Sequence, residues 1–158
     1  MGAIDVAAAQ ELFAASTDGT VGLEEEFAVL DAASLDLVPR FEELRDAAAE
    51  DPVLAPAIAG ELISSEIEIR SGRGDDIHDA LRRQREARAR LFALADARGV
   101  ALGATGTHPW ADYREQRNID TEHYRRVVDG LQYVARRNNT FSLHVHIGVR
   151  GADRAIRV

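Results

Sequence analysis

Three segments of this sequence alternate polar and apolar residues, and this alternation restricts the fold more than any other feature. They read TVGLEEEFAVLD at residues 20–31, ELISSEIEIRS at 61–71 and FSLHVHIGV at 141–149. Successive side chains of a β-strand point to opposite faces of its sheet, so each segment presents one apolar and one polar face. The pattern predicts an open sheet that helices cover on its apolar side.

The predicted polar face of the first strand carries two carboxylates. Glu24 and Glu26 share this face with the small residues Gly22 and Ala28, whereas Glu25 lies among the apolar side chains of the opposite face. Like charges this close are unfavourable unless a cation or water compensates them. The small neighbours leave room for a ligand, but an acidic sheet face without a ligand explains this strand equally well.

The other two strands extend the polar face. Glu66 and Glu68 lie on the polar face of the second strand, and His144 and His146 lie on the polar face of the third. Glu61 lies seven positions before Glu68, so strict alternation places these two on opposite faces. Glu61 can join Glu68 only from the loop before the strand or across a β-bulge. A single histidine here is more often structural, but two on one face favour a functional site.

Carboxylates and imidazoles on one face indicate a metal site, and their chemistry leaves several ions open. Carboxylate-rich sites suit Mg²⁺ or Mn²⁺, while a histidine ligand is more comfortable on Mn²⁺ or Zn²⁺. Two histidines at alternate positions with acids nearby are also compatible with a zinc- or manganese-dependent hydrolase.

The composition excludes several classes of chemistry. All 19 basic residues are Arg, and the chain contains neither Lys nor Cys. This excludes a P-loop lysine, a Schiff base, a thiol nucleophile, a thiolate zinc site and a disulfide. Gly72 and Gly74 of SGRGDD are therefore interpreted as turn residues. A formal charge of −8 with dispersed Arg argues against nucleic-acid binding.

The length and hydropathy of the chain predict its organisation. With 158 residues and 46% hydrophobic composition, we expect a single domain over residues 1–158, with residues 1–19 as an N-terminal helix and lead-in. No apolar run reaches the about 20 residues that span a bilayer, and no signal peptide is recognisable, so a soluble cytoplasmic protein is expected. Further elements are predicted as helices at 4–15, 39–49, 75–98 and 120 or 121–137, a strand at 100–104 and a helical turn at 153–158.

Four separated motifs, in order along the chain, resemble the glutamate–cysteine ligases and the related bacterial carboxylate–amine ligases. They are VGLEEEF, ELISSEIEI, GATGTHPWADY and LHVHIGV followed by GADRAIRV, and the resemblance runs from about Thr20 to the last residue. It implies an α+β fold similar to glutamine synthetase, with a curved, mainly antiparallel sheet and helices on one face. Such enzymes use ATP with Mg²⁺ or Mn²⁺ to convert glutamate to γ-glutamyl phosphate, which an amine such as cysteine attacks.

The resemblance also implies roles for residues on these motifs. The implied metal ligands are Glu24, Glu26, Glu61, Glu68 and His144. The implied substrate contacts are Thr107, His108 and His146. The spacing of Glu61 and Glu68 matches the family, which favours the loop or bulge geometry for Glu61. No residue is assigned as a nucleophile, because phosphoryl transfer depends mainly on positioning and charge stabilisation.

This sequence departs from the family in two residues and in length. Ser142 stands where many members carry Gly, and His123 precedes Tyr124 where an Arg–Tyr pair is common. Members are usually more than twice as long, so the chain is interpreted as a fragment or one subunit of a ligase. A half sheet exposes a strand edge and apolar surface, so we expect a homo-oligomer or a second chain that completes the site. The alternatives are a non-catalytic metal- or glutamate-binding or regulatory module, and the hydrolase.

Overall fold

A central strand of eleven residues organises the sheet. The structure is a computed structural model that describes residues 5–158. Within these residues five strands form one open sheet with antiparallel pairing: β1 (Val21–Asp31), β2 (Ile58–Ala59), β3 (Glu66–Arg70), β4 (Val100–Gly103) and β5 (Leu143–Ile147).

One edge of β1 pairs with β3, and the opposite edge is shared by β4 and β5. β3 pairs with residues 24–28 of β1, β5 with residues 21–25 and β4 with residues 28–31. β2 extends the sheet beyond β3. The part of β1 around residues 24 and 25 therefore lies between β3 and β5, which brings polar residues of three strands onto one surface.

Within the described residues the helices are α1 (Val6–Ala15), α2 (Phe41–Ala48), α3 (Leu54–Ala57), α4 (Ile77–Ala97), α5 (Glu122–Leu131), α6 (Tyr133–Arg136) and α7 (Ala152–Ala155). The main contacts between helices and strands are made by α2, α3 and α4. A 3₁₀ turn at Tyr113–Glu115 lies in the loop between β4 and α5. The long helix α4 contacts β1, β3 and β4. The predicted α+β class, with an open antiparallel sheet and packed helices, is confirmed.

The core forms where the apolar face of β1 and β3 meets α4. Phe27, Ile67, Ile69 and Leu91 are fully buried there, and Phe41 of α2 packs against the same cluster. Burial of side chains of this size contributes about 1.5–3 kcal/mol each. This packing determines which side of β1 and β3 faces inward, and therefore which side chains are left for the polar face.

Glu25 lies on the apolar face, as the alternation predicts, and α4 compensates its charge. Gln84 Nε2 donates to Glu25 Oε2 at 3.0 Å and to the Ile69 carbonyl at 3.2 Å. Arg88 Nη1 forms a short ion pair with the same carboxylate. Gln84 interrupts the apolar stripe of α4 in the sequence, and these contacts explain why a polar side chain is buried at that position.

The second strand is shorter than the predicted segment 61–71. β3 begins at Glu66, because the backbone of residues 62–64 pairs instead with residues 117–119. Glu61 therefore lies in the loop before the strand, which is one of the two geometries that could bring it to Glu68.

The remaining elements follow the predictions within a few residues, with one break. The helix predicted to reach residue 137 is divided into α5 and α6 at Gln132, whose φ of 49° interrupts the helix. Ile63, predicted on the same face as Ile67, packs instead against Leu62 and Ala135. The predicted start of the first helix at residue 4 lies outside the described residues.

The apolar side of β5 is open. Leu143, Val145 and Ile147 are 63%, 54% and 57% exposed, although the apolar faces of β1 and β3 are buried. The apolar surface expected of a half sheet is thus present. In residues 5–158, none of the helices is both long and apolar enough to cross a membrane.

Asp76→Ala is expected to lower the free energy of unfolding by about 1 kcal/mol. Asp76 is the N-cap of α4, and its Oδ1 accepts a hydrogen bond from Asp79 N at 2.8 Å. Urea denaturation followed by circular dichroism measures the change. Asp75→Ala is the matched control, because the hydrogen bond of Asp75 to Asp79 uses its backbone N–H. Equal losses in the two variants would contradict the assignment of the cap to Asp76.

Candidate metal-binding site

The strand register places the polar residues of β1, β3 and β5 side by side. Glu24 lies between Arg70 of β3 and His144 of β5, and Glu26 is paired with Glu68 of β3. Directly paired residues of antiparallel strands point to the same face, with Cβ atoms about 4.5–5.5 Å apart. These groups therefore form one cluster on the side of the sheet opposite α4.

Glu26, Glu61 and Glu68 form the centre of this cluster. One carboxylate oxygen of each lies within 4.8 Å of those of the other two. Glu26 and Glu68 are buried, and Glu61 is partly buried. Anionic groups this close repel one another, and converging carboxylate oxygens are the donors that Mg²⁺ and Mn²⁺ prefer. The residues present fit a divalent cation.

Glu61 reaches the sheet because α5 holds its loop. The hydroxyl of Tyr124 donates a short hydrogen bond to the carbonyl of the neighbouring Gly60. Burial, together with the charges of Glu61 and Glu68, raises the pKa of Tyr124 to about 12, so the hydroxyl remains a donor. Burial and the charges of Glu68 and Glu26 also raise the pKa of Glu61, which a bound cation would oppose.

His144 faces the carboxylates with its Nδ1 atom, which lies 3.4 Å from Glu24 Oε2 and 3.8 Å from Glu26 Oε1. Ser142 N and Oγ both donate to Glu26 Oε2, at 2.6 and 2.7 Å. The Ser142 oxygen can then only accept from His144 Nε2, 3.1 Å away. In a neutral imidazole this leaves Nδ1 unprotonated and directed at two carboxylates, an arrangement that a metal ion between them stabilises.

Glu24 connects the carboxylate cluster to cationic side chains. Burial raises the pKa of Glu24, but the hydrogen bond and charge of His146 and the charges of Arg70 and His144 outweigh it and lower the pKa overall. His146 Nε2 lies 3.0 Å from Glu24 Oε2, and Arg70 Nε lies 3.6 Å from Glu24 Oε1. Arg70 Nε also forms a short ion pair with Glu68. Glu24 is thus ionised at neutral pH.

Glu66 is a buried and neutral member of the polar face. Its exposure is 1%, and its Oε1 atom has no hydrogen-bond partner among the described residues. Burial, followed by the charges of Glu26 and Glu61, raises the pKa of Glu66 to about 9. Glu66 therefore adds a protonated carboxyl beside Glu26 and not a further negative charge.

Three residues of the site were not predicted from the sequence to belong to it. Arg70 could have been found, because it lies two positions after Glu68 on the same strand face. Ser142 was noted only as a departure from the family, although it orients both Glu26 and His144. Tyr124 was noted only in its pair with His123, and its contact with the loop that bears Glu61 joins segments that are distant in the sequence.

Thr107 and His108 lie in the loop after β4 and hold its shape. Thr107 Oγ1 donates to Asn139 O at 3.2 Å, and His108 Nε2 donates to Leu35 O at 2.8 Å. His108 Nδ1 accepts from the backbone N–H groups of Trp110 and Ala111. The contact of Thr107 and His108 with a substrate stays a prediction. The residues predicted as metal ligands, together with His146, lie in one cluster.

Comparison with known sequences identifies the family of the chain that carries this cluster. The sequence profile of glutamate–cysteine ligase family 2 matches residues 20–158. The chain belongs to this family. The matched region contains all the residues of the cluster.

Individual relatives of the family agree with the profile. The chain is 39% identical to "putative glutamate–cysteine ligase 2-1" of Rubrobacter xylanophilus, with 87% of the chain and 36% of the relative aligned. It is 36% identical to "putative glutamate–cysteine ligase 2" of Gloeobacter violaceus, with 92% and 39% aligned. It is 33% identical to "glutamate–cysteine ligase" of Halobacterium salinarum, with 90% and 39% aligned. The chain thus spans less than two fifths of the length of these relatives.

Glu66→Gln is expected to flatten the pH dependence of stability. The pKa of Glu66 is about 9 in the folded chain and ordinary, near 4.5, when unfolded. The folded state therefore binds the extra proton, and this contribution to stability is complete below about pH 4.5 and is lost as pH rises through 9. In between, the wild type should lose on the order of 1 kcal/mol per pH unit from this group.

Urea denaturation of the metal-free chain between pH 5 and pH 9, with EDTA present, measures this dependence. The Glu66→Gln curve should fall less steeply than that of the wild type. Glu50→Gln is the control, because Glu50 is exposed and should leave the slope unchanged. Parallel curves for the wild type and Glu66→Gln would show that Glu66 is already ionised.

Proposed function

We propose that this chain forms the metal- and nucleotide-binding part of an ATP- and Mg²⁺-dependent carboxylate–amine ligase of the glutamate–cysteine type. The convergence of Glu26, Glu61 and Glu68 on the polar face, in a member of glutamate–cysteine ligase family 2, carries the proposal. Mn²⁺ is the alternative ion, since His144 adds a nitrogen donor. A cytoplasmic location, where ATP is abundant, belongs to the same proposal.

The proposed reaction has two transfers. A γ-carboxylate oxygen of glutamate attacks the γ-phosphorus of ATP, and ADP leaves. The amine of the second substrate, such as cysteine, attacks the carbonyl carbon of γ-glutamyl phosphate; phosphate leaves with the bonding electrons and the amine loses a proton. A divalent cation, when bound, neutralises charge on the phosphates. No side chain has to be a nucleophile, which agrees with a site made of carboxylates, imidazoles and arginine.

The proposed roles follow the contacts of the site. Glu24, Glu26, Glu61, Glu68 and His144 hold the cation. Ser142 keeps His144 in the orientation that presents Nδ1. His146 is the best placed of the proposed substrate contacts, because it lies on the same face beside Glu24. Thr107 and His108 would border the substrate through the loop that their hydrogen bonds shape.

A further polypeptide segment is part of the proposal. The chain spans 36% to 39% of the length of the relatives described above. The apolar side of β5 is exposed at Leu143, Val145 and Ile147, which is a surface suited to packing against another element. A continuation of the chain, a second chain or a second copy would cover this surface and complete the site.

A second candidate function, binding without catalysis, is supported by the same carboxylate cluster. A module that keeps the carboxylate cluster but lacks the rest of a ligase would bind Mg²⁺–ATP or glutamate without turnover. Calorimetry with Mg²⁺–ATP in parallel with an ADP assay separates the two functions. Stoichiometric Zn²⁺ retained through dialysis would instead favour the hydrolase.

Glu68→Gln is expected to weaken Mn²⁺ binding at least about tenfold, because it removes one of three converging carboxylates. The electron paramagnetic resonance signal of free Mn²⁺, measured during a titration, gives the affinity. Glu50→Gln is again the control, since Glu50 is exposed and outside the cluster. Unchanged affinity in Glu68→Gln would place the cation elsewhere.

ADP release should appear when the chain is combined with the later part of a relative. We expect no turnover from the chain alone, and turnover with Mg²⁺, ATP, glutamate and cysteine once the later part of the Rubrobacter xylanophilus relative is added. Mass spectrometry detects the γ-glutamyl product, and Glu26→Gln should abolish it. Absence of ADP and product in this pairing, and in pairing with the later part of the Halobacterium salinarum relative, would reject catalysis by this polypeptide.

A further inference from the structure

A cleft of about 350 Å³ opens beside the carboxylate cluster, next to the start of β1 and to β5. Arg70, Arg73 and His146 contribute the cationic or titratable side chains of its lining, and Glu24 contributes the carboxylate. Its volume falls at the small end of ligand sites, which measure about 300–1,000 Å³. The backbone of Gly22 forms part of its wall.

A β-bulge forms the side of this cleft. After β3 the chain continues along β1, because Ser71 N donates to Leu23 O at 2.9 Å and Gly74 exchanges backbone hydrogen bonds with Val21 at 2.8 and 3.1 Å. Two residues of the continuing chain therefore oppose the single residue Gly22. Bulges of this kind change the direction in which a side chain points.

The two bulged residues are Gly72 and Arg73. Gly72 has φ +67°, in the left-handed region that favours glycine. The extra residue shifts the alternation along the chain, and Arg73 lines the same cleft as Arg70. Gly74 fixes the bulge against α4, because a Cβ there would lie 2.7 Å from Ala80 N.

The two arginines differ in how much of their charge is already paired. Arg70 uses its Nε for Glu68 and lies near Glu24, and its terminal nitrogens make no hydrogen bond among the described residues. Arg73 is exposed, and within residues 5–158 its guanidinium has neither a hydrogen bond nor an ion pair. Glu24 is compensated by His146 at 3.0 Å. In an otherwise acidic chain, this arrangement favours an anion with several oxygen atoms.

We propose that this cleft binds the phosphate chain of a nucleotide, with Arg73 as its main unpaired cationic contact and Arg70 between the phosphates and the carboxylates. The inference rests on the proposed function, which supplies the nucleotide, and deepens it by assigning the place and the residues. SGRGDD, which lacks the lysine of a P-loop, thus binds phosphate through a bulged arginine.

A phosphate chain fits the cleft better than a single carboxylate. An anion that enters meets the negative charge of Glu24 and Glu68, so it has to bring or share a cation. A di- or triphosphate can contact a guanidinium with one phosphate and a cation at the carboxylate cluster with another. A lone carboxylate is a single anionic group, so it cannot place one such group at the guanidinium and another at the cation.

Calorimetric titration of the chain with ADP and with inorganic pyrophosphate, at constant Mg²⁺, tests the proposal. Arg73→Gln should weaken both ligands by about tenfold, because it removes a charge-assisted contact. Arg85→Gln is the matched control, since Arg85 is an exposed arginine of α4 outside the cleft lining, and its affinities should equal those of the wild type. Mn²⁺ affinity and thermal stability should be the same in all three proteins.

Three outcomes would overturn the inference: no binding of ADP or pyrophosphate by the wild type, equal affinities in the wild type and Arg73→Gln, or an effect of Arg73→Gln on glutamate alone. The last outcome would assign the cleft to an amino-acid carboxylate. The test measures binding of ADP and pyrophosphate and does not depend on turnover of ATP to ADP. Pyrophosphate binding that depends on Arg73, in a chain that never forms ADP with an added partner, would reject the ligase and keep the phosphate cleft.

Discussion

Repulsion among carboxylates on one face of the sheet is the interaction on which the rest of this structure depends. Glu26, Glu61 and Glu68 approach within 4.8 Å through their oxygen atoms, two of them in buried positions. The chain offsets part of this repulsion itself: Arg70 pairs with Glu68, and Glu66 keeps its proton because its pKa is about 9. The remaining negative charge suits a divalent cation, which is the ligand that we propose for this cluster.

The opposite face of the sheet stabilises this unfavourable arrangement. Phe27, Ile67 and Ile69 alternate with the acids along the same two strands and are fully buried against α4. Because successive side chains of a strand point to opposite faces, burial of these residues forces Glu26, Glu66 and Glu68 together. Hydrophobic packing on one side therefore positions the charges on the other, and most groups of the carboxylate cluster lie on strands and not on a dedicated loop.

β5 differs from β1 and β3 because its apolar side is open. His144 and His146 belong to the polar face, but the apolar residues that alternate with them along β5 are exposed. A strand that is ordered by one neighbour and open on its apolar side is suited to further packing. This agrees with the length of the relatives of glutamate–cysteine ligase family 2, of which the chain spans less than two fifths.

Much of the site could be predicted from the sequence because its residues lie on strands with a period of two. That period alone placed Glu24 with Glu26, Glu66 with Glu68 and His144 with His146, and placed Glu25 on the other side. It failed where the backbone leaves the regular ladder. Residues 62–64 pair with residues 117–119, which shortens β3. The helix predicted to reach residue 137 was likewise not foreseen to divide at Gln132.

The sequence by itself thus determined which residues share a face, since strand geometry is local and repeats every two residues. Only the tertiary structure decided which faces meet and how their charges are balanced. Tyr124 holds the loop of Glu61, Ser142 selects the free nitrogen of His144, and the bulge at Gly72 places Arg73 beside the cleft. These three features depend on contacts between distant segments or on a shift in strand register. The alternation of residues along one strand does not predict either.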